Sequence, residues 1–138
     1  MIVLDTNVLS ALMRQVPDPQ VVGWLDNQSR ASVWTTSITV LEIRYALNIM
    51  ATGKRRAFLL QAFDSLLEMM GGRIAPFDHD AAKHAAELMA ARKRKGRPIE
   101  LRDTMIAGIA VGQQATLATR NVMHFEDLTV RVVNPWLA

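Results

Sequence analysis

The sequence predicts an α/β domain whose short, mainly parallel strands form a central sheet flanked by helices. Three observations carry this. Strand-like segments of three or four residues recur from one end of the chain to the other, as in Ile2-Val3-Leu4. Longer segments with helical spacing of their apolar residues separate them. Parallel neighbours need crossover connections, and the intervening helices supply them.

The elements follow in order. Ile2-Val3-Leu4 is apolar on both faces and reads as a buried strand. Asn7 to Met13 is a short helix, closed by the Pro17-Asp18-Pro19 turn. Gln20 to Asp26 forms a second helix, and Ser32 to Thr35 a weak strand. Ser37 is the expected N-cap of a long helix from Ile38 to about Met50. Arg55 to Met70 is helical by period and stops at Gly71-Gly72. Arg73 to Pro76 is a strand candidate. Asp78 or Asp80 caps the next helix, which runs into a basic stretch and halts at Gly96. Pro98 opens a helix through Val111, since proline is tolerated in a first turn. Leu117-Ala118-Thr119 and Val130 to Val133 complete the strands, and Asn134-Pro135 closes the ordered part.

The totals narrow the classes. A chain of 138 residues, half of them hydrophobic, suits a single domain over residues 1–138 with a real core. With 21% charged residues the composition is not that of a disordered chain. No cysteine is present, which excludes disulfides and thiolate metal sites. The start lacks a basic region followed by a leader-like apolar run, and no window approaches a spanning helix, so a cytoplasmic protein with no membrane partner is expected. The net charge of +3 is lopsided. Residues 1–69 carry six basic and six acidic side chains, whereas residues 70–138 carry ten and seven.

The placing of the carboxylates points to function. Asp5 directly follows the first buried run, at the carboxyl end of a central strand, where α/β sheets place their ligands. It is equally well placed to cap the next helix. Glu42 has Ile38, Tyr45, Ala46 and Ile49 as helical neighbours, so it is expected within an apolar stripe. A carboxylate buried there needs a cation, a hydrogen-bond network or a cleft. Asp103 repeats the anomaly on a face with Ile99, Ile106, Ala107 and Ala110. Asn121 follows the Leu117-Ala118-Thr119 strand much as Asp5 follows the first. Hard divalent cations such as Mg²⁺ and Mn²⁺ prefer oxygen ligands, and Mg²⁺ usually keeps several waters beside one or two carboxylates. Mutually repelling acids suit such an ion, and the ion suits phosphodiester hydrolysis.

These residues resemble a known family. Met1-Ile-Val-Leu-Asp5-Thr-Asn-Val-Leu-Ser, Ser37-Ile-Thr-Val-Leu-Glu42-Ile-Arg-Tyr-Ala, Arg102-Asp103-Thr-Met-Ile-Ala-Gly-Ile-Ala and Ala118-Thr-Arg-Asn121-Val-Met-His-Phe are similar, in this order, to the segments of the PIN domain. Within it they resemble the VapC-type toxins of bacterial toxin–antitoxin pairs, including the FitB-like branch. Pro76-Phe-Asp78 and Val133-Asn-Pro-Trp136 add to the likeness, which spans almost the whole chain. The resemblance implies a PIN-like three-layer domain and a Mg²⁺- or Mn²⁺-dependent RNA endonuclease. It also implies inhibition by a cognate VapB-like antitoxin, a homodimer, and a higher assembly with the antitoxin. It places Asp5, Glu42 and Asp103 at the metal, with Asn121 as the fourth position of the catalytic set. Thr6, Asn7, Ser37 and Thr119 become supporting polar groups. Many relatives carry Asp where this chain has Asn121. An amide offers an oxygen without charge, so one firmly held ion is expected.

The run Arg92, Lys93, Arg94, Lys95 and Arg97 also suits a helix C-terminus. Beside an acidic phosphoryl-transfer site, these cations and Arg102 and Arg120 are expected to bind RNA phosphates. His124 falls near the same site, where a surface role is its simpler reading. Two alternatives remain open at this point. One is a phosphatase or DNA nuclease using the same acids. The other is a catalytically weak or silent nucleic-acid- or antitoxin-binding module of the same fold.

Overall fold

The computed structural model describes residues 1–138. Five strands form one wholly parallel sheet: β1 (Ile2–Leu4), β2 (Val33–Thr36), β3 (Ile74–Ala75), β4 (Thr116–Ala118) and β5 (Val132–Val133). Their spatial order is β3-β2-β1-β4-β5. The chain moves outward from β1 to β2 and β3, then returns to the other side of β1 as β4. The sheet therefore has its topological switch between β1 and β4, where parallel α/β sheets open a crevice at the carboxyl ends of the strands. Six helices surround it: α1 (Thr6–Leu12), α2 (Pro19–Asp26), α3 (Ser37–Ile49), α4 (Lys54–Met69), α5 (His79–Arg94) and α6 (Leu101–Gly112). No helix is long and apolar enough to cross a membrane.

The strands sort their side chains by alternation. Val3 and Leu117 face one core, which α5 and α6 close with Ala81, Ile106, Ile109 and Ala110. Leu4 and Ala118 face the other, closed by Val8 and Leu9 of α1, Val21 of α2, Ile43 and Leu47 of α3 and Phe63 of α4. Both faces of the sheet are thus covered, as a short parallel sheet requires. The register pairs Leu4 with Ala118, so the next residues, Asp5 and Thr119, leave the sheet side by side.

Several boundaries differ from the sequence reading, each for a local reason. The weak strand shifts to Val33–Thr36 because Arg30–Ser32 forms a 3-10 turn. The cap of α3 is Thr36, whose Oγ1 accepts from the Thr39 N–H at 3.0 Å. Ser37 Oγ instead accepts from the Phe77 N–H at 3.0 Å. Helix α6 begins at Leu101 rather than Pro98, because the Glu100 carboxylate caps it through the Asp103 N–H. Of the two acids offered for α5, Asp78 is the cap, accepting from the Ala81 N–H at 2.9 Å.

Candidate active site

Asp5 both caps a helix and heads the site. Its Oδ1 accepts from the Thr6 N–H at 2.8 Å, and its own N–H donates to the Ala118 carbonyl at 2.9 Å. Thr119 Oγ1 donates to Asp5 Oδ2 at 2.7 Å. The same hydroxyl oxygen accepts from Asn7 Nδ2 at 3.3 Å and from the Asn121 N–H at 3.1 Å. Asn7 Oδ1 in turn accepts from the Arg120 N–H at 3.2 Å. The carboxylate is only 3% exposed. Burial pushes it up from 3.8 to about 6, against the hydrogen bonds from Thr119 and Thr6 and with the help of the charges on Asp103 and Glu42.

Glu42 reaches the same cleft from α3. Thr6 Oγ1 donates to Glu42 Oε1 at 2.8 Å and lies 3.0 Å from Thr39 Oγ1. The apolar stripe expected around Glu42 is corrected by the structure. The buried face of α3 is Ile38, Thr39, Ile43 and Leu47, while Tyr45, Ala46 and Ile49 are exposed. Glu42 sits at the edge of the buried face, a position that opens onto a cleft. Asp103 stands in the first turn of α6, below the fully buried Ile106, Ala107 and Ala110, where the helix dipole favours its charge. His124 Nδ1 lies 3.3 Å from Asp103 Oδ2.

Asp5, Glu42, Asp103 and Asn121 line one open cleft of about 390 Å³, together with Arg14, Arg120 and Trp136. Within it the acids do not form a closed ligand set, since no three carboxylate or imidazole groups are gathered tightly enough to enclose an ion. The donors are nonetheless all oxygen, and one of them is a carboxylate raised by its burial and, to a lesser degree, by its acidic neighbours. That chemistry fits a hard cation that keeps much of its water.

Of the supporting residues, Thr6, Asn7 and Thr119 touch the acids directly. Ser37 does not: its hydroxyl is engaged by Phe77, and Thr39 takes the supporting place on α3. The signal for Thr39 was its helical position one turn before Glu42. The basic run divides in a similar way. Lys93, Arg94, Lys95 and Arg97 are exposed, and Arg97 pairs with Glu126 at 3.3 Å. Arg92 is corrected as a phosphate ligand, because its guanidinium is buried. It donates to Asp127 at 2.8 and 2.9 Å, to Thr104 Oγ1 at 3.0 Å and to the His124 carbonyl at 2.8 Å. Arg102 is engaged by Glu100 at 2.9 Å and approaches Glu42 at 3.9 Å. Asp103 also borders a second cavity of about 560 Å³ that reaches Lys95 and Arg97.

The chain is similar to known proteins along nearly its whole length. The PIN domain family matches residues 2–129. The chain is 40% identical to VapC ribonuclease Y4jK of Sinorhizobium fredii, over 99% of this chain and 98% of the relative. It is 37% identical to Toxin FitB of Neisseria gonorrhoeae, over 99% of each. The crystal structure of FitAcB from Neisseria gonorrhoeae superposes with a TM-score of 0.90 at 37% identity and covers 100% of both chains.

Proposed function

The chain belongs to the PIN-domain family, and from that premise we propose that it is a divalent-metal-dependent RNA endonuclease, the toxin of a toxin–antitoxin pair. The observation that carries this is the meeting of Asp5, Glu42, Asp103 and Asn121 in one cleft at the switch between β1 and β4. RNA as substrate is supported by the name of the relative VapC ribonuclease Y4jK.

Asp5, Glu42 and Asp103 would hold a Mg²⁺ or Mn²⁺ ion, directly or through water. When bound, such an ion supplies acidified water and stabilisation of charge on phosphoryl oxygens. The protein's part is to fix the donors. Thr119 and the Thr6 N–H hold the two oxygens of Asp5, and Thr6 Oγ1 holds Glu42. Asn121 adds an oxygen without charge, which favours one firmly held ion. The exposed cations Lys93, Arg94, Lys95 and Arg97 extend positive potential away from the acids and attract a polyanion.

Leu41, Tyr45 and Ile49 are exposed together on α3. Such an apolar face supports a protein-covered surface, in keeping with a homodimer and with an antitoxin. The test of the activity is incubation of purified protein with RNA, DNA and a phosphomonoester, with chelator or with Mn²⁺. RNA alone is cut, only with Mn²⁺, and not by Asp5→Asn. Equal cleavage by parent and Asp5→Asn would remove the assignment. The second reading, a silent binding module, is favoured by the uncharged Asn121 and the open arrangement of the acids. It requires RNA binding with no cleavage at any Mn²⁺ concentration.

A further inference from the structure

The guanidinium groups around the acid cleft differ in what they already hold. Arg102 is engaged by Glu100 and Glu42, and Arg92 is buried against Asp127. Arg14 and Arg120 line the cleft itself; neither has a carboxylate partner or a side-chain hydrogen bond within the chain, and of the two only Arg120 is stacked on an aromatic ring. Its Cζ lies over the Trp136 ring, 4.9 Å from the centroid. Both residues line the cleft that contains Asp5.

Each half of this stack is fixed from below. The Arg120 N–H donates to Asn7 Oδ1, and Arg120 stands between Thr119 and Asn121, the residues joined to Asp5 by the Thr119 hydroxyl. Trp136 packs against the core on the α1 side of the sheet. Its backbone N–H donates to Asn134 Oδ1 at 2.9 Å, and the Leu137 N–H closes the turn on the Asn134 carbonyl at 3.1 Å. The backbone under the indole is thus fixed, and the ring, packed against the core, carries a cation held beside an acidic cleft. The planar guanidinium keeps its N–H donors free, in the fork geometry that matches two oxygens of a phosphate. Stacking restricts its rotamers before any substrate arrives, which reduces the ordering cost of binding.

We propose that Arg120 is a phosphate-binding cation of the cleft, pre-positioned where Arg14 is not, and that Trp136 is the positioning residue that holds it there. The inference rests on the nuclease reading, in which the phosphate belongs to an RNA strand lying across the acids. It gives the grip on the phosphate nearest the reacting centre to this stack and leaves the exposed basic run a longer-range role.

The test is metal-free binding of a labelled single-stranded RNA by anisotropy, across a salt series, so that binding is read apart from cleavage. Arg120→Ala weakens binding about tenfold, as expected for a charge-assisted contact, and lowers the slope of log K against log salt by about one. Trp136→Ala weakens it about two- to fivefold, the scale of an exposed cation–π contact, and Trp136→Phe recovers most of that loss. Arg120→Lys retains the salt slope but not the affinity. Arg120 is exposed, so its variants keep the fold even if Trp136→Ala melts early. Parent affinity and salt slope in Arg120→Ala would overturn the proposal. An unchanged affinity in a folded Trp136→Ala would overturn the positioning role. Cleavage by the parent is scored separately with Mn²⁺. A parent that binds RNA through Arg120 without cutting it sinks the nuclease reading alone.

Discussion

Thr119 Oγ1 donates to Asp5 Oδ2 at 2.7 Å, joining residues 114 positions apart at the ends of adjacent strands. The hydroxyl is fully buried and also accepts from Asn7 and from the Asn121 N–H, so one side chain orients an acid and two neighbours. Thr119→Val keeps the shape and removes all three bonds. By analogy with lost outer-shell partners of metal ligands, it lowers Mn²⁺ affinity or cleavage about 10–100-fold. Thr119→Ser restores most of it. Titration calorimetry with Mn²⁺ checks this, and equal affinity in parent and Thr119→Val would contradict it.

Asp5 makes metal-free stability depend on pH with a definite sign. Burial pushes its carboxyl to about 6, whereas an unfolded Asp titrates near its ordinary value of 3.8. The folded state therefore binds the proton more tightly. This group's contribution to stability is complete below about pH 4 and is lost as pH rises through about 6. The loss is on the order of 3 kcal/mol at most. Thermal melts of parent and Asp5→Asn, without metal, should converge or cross over that interval as the parent loses ground. Parallel curves would contradict the assignment. Mn²⁺ affinity should rise over the same interval, because proton and ion compete for one carboxylate.

Arg92 acts through structure. It ties α5 to Asp127, to Thr104 beside Asp103, and to the His124 carbonyl. Its hydrogen bonds hold the Asp127 carboxyl below the usual carboxylate range. That contribution is present above the unfolded pKa and is lost as pH falls through the folded one. Arg92→Ala leaves buried polar groups without partners and should cost about 3 kcal/mol in chemical denaturation. Replacing both partners, as Arg92→Met with Asp127→Leu, should recover much of the stability. A neutral Arg92→Ala would contradict this.

Gly108 sets the distance between α5 and the helix that carries Asp103. A Cβ there would lie 2.5 Å from the Ala81 carbonyl oxygen and 2.8 Å from Ala85 Cβ. Backbone cannot yield as a flexible side chain can. Gly108→Ala should therefore destabilise by about 1–3 kcal/mol despite the better helix propensity of alanine. A rise in melting temperature would show that the two helices have room to separate.

How much of this was legible follows from phase and distance. Asp5 could be placed because it ends an apolar run, and a strand fixes where its last residue points. The two strands that flank the crevice were legible for the same reason. Glu42 is legible as a misplaced acid, but the buried stripe runs beside it rather than through it: Ile43 and Leu47 face the core, and Tyr45 and Ile49 do not. The five cations after Ala91 look alike in sequence. Within the helix, Arg92 continues the Ala81, Ala85 and Leu88 row at helical spacing, the signal that it turns inward; Lys95, next in that row, falls at the helix end. Its partner Asp127 lies 35 positions away, and no local pattern announces that pairing. Caps were the least legible feature, since Thr36 and Ser37 are chemically close and the backbone direction decides between them.

The most direct test of the central claim is the number of Mn²⁺ ions bound per chain, read from the free-ion electron paramagnetic resonance signal. One firmly held ion is expected in the parent, none in Asp5→Asn or Asp103→Asn, and a second in Asn121→Asp. An Asp5→Asn protein that still binds Mn²⁺ as the parent does would contradict the account.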